Sequence, residues 1–402
     1  MVEPPCHFVF LSIEEAIIKP SVIFAVVAVS AVSISCEKAL LGPEKAISPP
    51  PVFHASRFAT ILDSLRYALD LPALAGAIVT DSGIVEAEAV GCRRYGGAMN
   101  VTMNDKFHLG SCSKAFTAAV LAALVDDGLV EWETNLLKIF PEYSSVMRPE
   151  YRDVTVRNLL SHGAGFIRDA DFNLKFSSNS PREQRAEVVK WALQQQSATS
   201  RGQYLYSNLG YTIAGAIAEK LANGQYEDLV MERLVRPLGL LTAGIGAMGT
   251  PGLEDQPLQH TPGHAPIIPT ADAHLNVIYN PAGMLHMSVV DWAKYVEWVL
   301  ACEAGHQTLL SPGNARALTT PAIQIGTTGF YALGWGGAYY ENWAGGKSLN
   351  HSESNGFNYA SAALAPARHF GILVMTNQGA VGSDWLLGPA ILRLIDYRIN
   401  GY

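Results

Sequence analysis

The sequence predicts a mixed α/β fold of the α+β kind: an antiparallel sheet built from N- and C-terminal segments, flanked by helices, with a mostly helical domain inserted between them. Three observations carry this. Leu74–Thr80 and Ile84–Val90 are apolar or alternating runs joined by Asp81-Ser82-Gly83, which reads as a hairpin. Strand signals then stop until Tyr331–Gly336, Phe357–Leu364 and Phe370–Thr376. From about 115 to 290 the pattern is mostly helical, broken by loops rich in Gly, Pro and Asn. Two or three short strands are not stable alone, so the early and late strands belong to one sheet.

At 402 residues, 49% hydrophobic and 16% charged, the chain can bury a large core and is not a disordered chain. Its net charge of −8 comes without a long basic run. That excludes nucleic acid as a partner, and charge-driven binding to anionic membranes with it.

Taken in order, Ser21–Ser35 is a continuous apolar run behind Lys19, short for a membrane span but suited to a secretory h-region. Residues 1–36 thus read as a signal or lipoprotein-type segment, which predicts an exported protein, periplasmic or anchored to a membrane. Cys36, after Ser33-Ile34-Ser35, resembles a lipobox cysteine and offers a membrane tether; an ordinary cleavage site or an uncleaved anchor stands beside that reading. Ser48-Pro49-Pro50-Pro51 makes 37–56 a stiff linker, and 57–402 the folded domain. Five cysteines (Cys6, Cys36, Cys92, Cys112 and Cys302) show no zinc or redox spacing and leave room for one disulfide at most after processing.

Phe58, Ile61, Leu62, Leu65 and Leu69 then fall at helical spacing, ending before Pro72. Gly110-Ser111-Cys112-Ser113-Lys114 runs into an Ala- and Leu-rich helix closed by Asp126-Asp127-Gly128, with Ser111 expected to cap it. Lys114 lies one turn from Ser111, and burial would lower its pKa until the neutral amine can act as a base. This is the Ser-x-x-Lys form of an activated serine. Ser35-Cys36-Glu37-Lys38 repeats the pattern inside the export segment, without that setting. Tyr206-Ser207-Asn208 sits on a loop opening another helix, and supplies a phenol for proton transfer, if an ammonium depresses its pKa, and an amide for lysine and substrate. Tyr340-Glu341-Asn342 repeats that pattern between two predicted strands. Ser288 starts a helix carrying Trp292, Tyr295, Val296, Val299 and Leu300 and stopped by Gly305; a last one begins near Ser383 with Leu386, Ile391, Leu394 and Ile395.

With these stretches in place, the chain resembles the serine β-lactamase and penicillin-binding-protein superfamily, in the branch of class C β-lactamases, D-Ala-D-Ala carboxypeptidases and related esterases. The resemblance covers about Phe58 to Asn377. It rests on Gly110–Lys114, Val154–Phe166, Tyr206–Asn208, Pro237-Leu238-Gly239-Leu240 and Asn280-Pro281-Ala282-Gly283, with Tyr206 following Ser111 by 206 − 111 = 95 residues. It implies a β-lactamase/transpeptidase-like fold and no metal or organic cofactor. The third family motif, Lys/His-x-Gly, is matched by His351-Ser352-Glu353-Ser354, with Glu353 at the usual Gly position. A Glu there would narrow the cleft or repel an anionic substrate. His369-Phe370-Gly371 and Trp335-Gly336-Gly337 are rival matches.

The expectation is an exported serine hydrolase acting on a small ester, amide or peptide, possibilities that include a β-lactam or a D-Ala peptide. Ser111 is its nucleophile, Lys114 and Tyr206 its acid–base pair, and Asn208, His351 and the Ser354 backbone its substrate-binding groups. His162 is expected to cap or pack. The opposing reading is a catalytically weak penicillin-binding, sensor or self-assembling structural member of the same fold.

Overall fold

The computed structural model describes residues 56–171, 174–177, 180–269, 276–306, 309–380 and 385–401. The export segment, Cys6, Cys36, the Pro-rich linker and the helix start at Ser383 lie outside these residues.

An eight-stranded antiparallel sheet forms the spine. Numbered within this sheet, its strands are β1 (Ala73–Thr80), β2 (Gly83–Gly91), β3 (Ile323–Ile325), β4 (Gly329–Tyr331), β5 (Gly336–Glu341), β6 (Gly346–Ser354), β7 (Tyr359–Ala365) and β8 (Phe370–Thr376), in the order β2-β1-β8-β7-β6-β5-β4-β3. The N-terminal hairpin joins the C-terminal meander through β1 and β8, with Ala75 opposite Met375 and Thr80 opposite Phe370.

Both faces of β1 and β8 are buried. Leu74, Ile78, Ile372 and Val374 face the end helices α1 (Arg57–Ala68) and α5 (Gly388–Asn400) through Phe58, Leu62 and Leu394. Their alternates Ala75, Ala77, Leu373 and Met375 meet a second core that includes α2 (Ser113–Asp126) and α4 (Val289–Ala304). Such double burial is why these strands read as continuous apolar runs. Ser288 caps α4 by accepting from Asp291 N, and Gly305 ends it at φ +79°.

Two local expectations change. The strand expected over Tyr331–Gly336 is interrupted at Ala332–Trp335: Ala332 N donates to Trp335 O at 2.7 Å, closing the turn between β4 and β5. Gly334 there has φ +87°, and a Cβ on it would stand 2.5 Å from Ala115 Cα, so this turn is pressed onto α2. The polar strand β6 occupies a stretch for which no strand was expected. Cys92, Cys112 and Cys302 are all free, within the limit of one disulfide at most.

Candidate active site

Helix α2 is apolar almost all round, and so it is buried almost all round. A 3₁₀ turn, Gly110–Cys112, leads into it. Ser111 therefore does not cap the helix; α2 has no side-chain cap bond, and the Ser111 hydroxyl is left for other partners.

Lys114 is fully buried one turn on. Its Nζ lies 2.7 Å from Ser111 Oγ, 2.7 Å from Asn208 Oδ1 and 2.8 Å from Ala282 O. Burial pulls its pKa down to about 7, against the opposing pull of the Glu353 and Asp169 charges. A neutral amine has two N–H donors and one lone pair. The amide and carbonyl oxygens take the donors, which turns the lone pair to Ser111.

Helix α3 (Asn208–Ala222) brings in the second motif, with Ser207 as its cap, accepting from Gly210 N at 2.9 Å. Asn208 Nδ2 donates to Asp169 Oδ1 at 2.8 Å. The Ser207 N–H donates to His162 Nδ1 at 3.0 Å, and the His162 ring lies 4.2 Å from that of Tyr206. His162 positions the loop, at φ +62° and with burial holding its pKa well below the usual range.

Tyr206 departs from the sequence expectation. The Lys114 ammonium position is 4.8 Å from its ring, yet burial first and the Glu353 charge second push its pKa well above normal, outweighing a hydrogen bond with Ser111. It is a neutral phenol, suited to donate a proton rather than to take one.

Strand β6 supplies the third motif. Its pairing with β5 ends at Asn350, whereas pairing with β7 continues to Ser354. His351 is buried with Nδ1 2.9 Å from Gly334 O; burial lowers its pKa to about 4. It ties β6 to the turn on α2 and lines a neighbouring cavity of about 650 Å³, with Tyr206. The Ser354 N–H, expected to bind substrate, donates instead to Glu353 Oε2 at 3.2 Å. Glu353 Oε1 accepts from Tyr206 OH at 3.1 Å. The rivals fall elsewhere: His369 is exposed beside Asp81, and Trp335 is buried in the core.

Ser111, Asn208, Glu353 and the Ser354 segment line one cavity of about 380 Å³ with Arg168, Asp169 and Gly283. Two contributors have no signature of their own in sequence. Ala282 acts through its backbone carbonyl, and Asp169 is one acid on a loop. The Asn280–Gly283 motif gave a place to look for the first: it packs so closely on α3 that a Cβ on Gly215 would lie 2.2 Å from Pro281 Cγ.

The sequence matches the Beta-lactamase family over residues 58–394. It is 27% identical over 333 residues to an unguisins hydrolase of Aspergillus campestris, an alignment covering 75% of this chain and 58% of that protein. The chain thus spans little more than half of that relative's length. Against penicillin-binding protein 4 of Amycolatopsis lactamdurans, identity is 25% over 337 residues, covering 80% of this chain and 84% of the relative. Among solved structures, the octameric penicillin-binding protein homologue from Pyrococcus abyssi superposes with a TM-score of 0.68 at 20% identity, covering 84% of this chain and 76% of that one. A class C β-lactamase from Rhodobacter sphaeroides gives 0.66 at 18% identity, covering 84% and 98%. The structural likenesses speak to the fold, and the family match spans most of the chain. The chain belongs to the Beta-lactamase family, serine hydrolases of the β-lactamase and penicillin-binding-protein superfamily.

Proposed function

We propose that the protein hydrolyses ester or amide bonds of small molecules through an acyl-enzyme on Ser111. The observation that carries this reading is the Lys114 amine, fully buried and 2.7 Å from Ser111 Oγ, with both donors engaged elsewhere. Ser111 Oγ bonds the carbonyl carbon as its proton passes to neutral Lys114. The bond to the leaving group breaks as Tyr206 gives that group a proton, and the proton held by Lys114 restores the phenol. Water then attacks the acyl carbon; one of its protons returns to Ser111, and the acid leaves. The apolar run of Ser21–Ser35 supports an exported setting.

A fluorophosphonate should label Ser111 in the full chain, and Ser111→Ala should lose labelling and turnover while keeping its circular dichroism spectrum. Labelling at a different serine overturns the assignment.

The pH profile follows from Lys114. With a pKa near 7, roughly a tenth of the amine is neutral one unit lower, so kcat/KM for a neutral ester should rise about tenfold per unit below pH 7 and level off above about pH 8. A flat profile from pH 5 to 8 would remove Lys114 as the base.

A further inference from the structure

Both donors that the acyl-enzyme chemistry calls on are engaged by one side chain. Tyr206 OH donates to Glu353 Oε1 at 3.1 Å, and the Ser354 N–H donates to Glu353 Oε2 at 3.2 Å. The carboxylate stands where a leaving group and a carbonyl oxygen would otherwise be received. It is held there by the backbone: a Cβ on Gly110 would meet Glu353 Cβ at 3.2 Å, so strand β6 lies directly on the nucleophile turn.

Its hydrogen-bond partners are neutral, and it acts on the Lys114 charge only from beyond ion-pair distance. Among the described residues, no lysine or arginine nitrogen lies within ion-pair distance of it. Arg168, the cation at the cavity wall, is mostly exposed, pairs with Asp169 at 3.6 Å and lies over the Tyr206 ring. A carboxylate that faces a cavity with only neutral donors hydrogen-bonded to it is a partner for a cation brought in by a ligand. Coulomb attraction at ~4 Å and an effective dielectric of ~20 is several times thermal energy, enough to compete with two ordinary hydrogen bonds.

We propose that Glu353 selects substrates carrying an alkylammonium group on the acyl side of the scissile bond. The inference rests on the acyl-enzyme reading and deepens it. The incoming cation draws the carboxylate away from Tyr206 and Ser354, so the same event that binds the substrate frees the phenol for the leaving group and the N–H for the oxyanion. Neutral substrates must displace the carboxylate with no compensating ion pair, and anionic ones do so against repulsion. The cavity, about 380 Å³, lies at the small end for organic ligands and suits a compact acyl group.

The test uses p-nitrophenyl esters of three acids of similar size: 4-(trimethylammonio)butanoate, its neutral isostere 5,5-dimethylhexanoate, and monoanionic glutarate. Wild-type kcat/KM should fall in that order, with the cation favoured over the isostere by at least about tenfold. Glu353→Gln, which keeps the shape and removes the charge, should bring cation and isostere within about twofold, and Glu353→Asp should keep part of the preference. Equal or better use of the neutral ester by the wild type overturns the proposal, as does a preference that survives Glu353→Gln. Fluorophosphonate labelling separates the two levels. Ser111 that labels without favouring the cationic ester, or without cleaving any of the three, overturns this inference alone; Ser111 that does not label overturns the acyl-enzyme reading and this inference with it.

Discussion

Lys114→Ala should cleave both an ethyl and a p-nitrophenyl ester about 10²–10⁴-fold more slowly, mainly in kcat. Without the amine, the Ser111 hydroxyl loses the group 2.7 Å away that takes its proton, whatever the leaving group. Tyr206→Phe should lose as much on the ethyl ester but far less on the p-nitrophenyl ester, because an alkoxide needs a proton to depart and nitrophenolate does not. The variant retains the ring that packs 4.2 Å from His162 and 4.8 Å from Lys114, so it reports on the hydroxyl alone. Losses under tenfold for Lys114→Ala, or equal losses of Tyr206→Phe on the two esters, would overturn these roles.

The second large effect lies away from the chemistry. Arg185, fully buried, donates to Glu219 Oε1 at 2.5 Å and Oε2 at 3.1 Å, to Glu227 Oε1 and Oε2 at 3.0 Å, and to Val277 O at 2.9 Å. Burial pulls its pKa down, and the two carboxylates outweigh that and raise it. Asn280 Nδ2 joins the network at Glu227 Oε1, 2.6 Å away, so the cluster anchors the segment whose Ala282 carbonyl holds Lys114. Arg185→Met leaves Glu219 buried without its counter-ion and should destabilise the fold by about 3–5 kcal/mol in urea unfolding. If the single variant does not fold, Arg185→Met combined with Glu219→Met should restore a folded protein, since the fully buried carboxylate is then gone and the remaining one, Glu227, is partly exposed to solvent. A change under ~1 kcal/mol in the single variant would show the network to be dispensable.

What could be read in sequence follows from how local each signal is. Ser111 with Lys114 and Tyr206 with Asn208 are separated by one helical turn or one loop step, so their spacing carries their geometry. Helices α1 and α4 show the same locality in their periodicity and, for α4, its caps. Strand β6 reads as polar, Gly-Lys-Ser-Leu-Asn-His-Ser-Glu-Ser, because one end of it borders a cleft instead of a core. The Tyr206 pKa reverses the expectation for another reason: a nearby ammonium is visible as a motif, whereas burial and a carboxylate arriving from residue 353 are products of tertiary packing.

Pairing β1 with β8 also has a consequence in time. Ala75 and Met375 are partners across 375 − 75 = 300 positions, so the sheet cannot close until β8 has been made. At roughly 5–20 residues per second, a ribosome needs on the order of 15–60 s between these two residues. During that interval α2 has no β8 behind the sheet it packs on, and the serine turn has no strand β6 against Gly110. Long-range closure of this kind slows folding and leaves apolar surface open to aggregation. It also means that the surroundings of Ser111 are completed only after β6 and β8, more than two hundred residues further along, have left the ribosome's active centre.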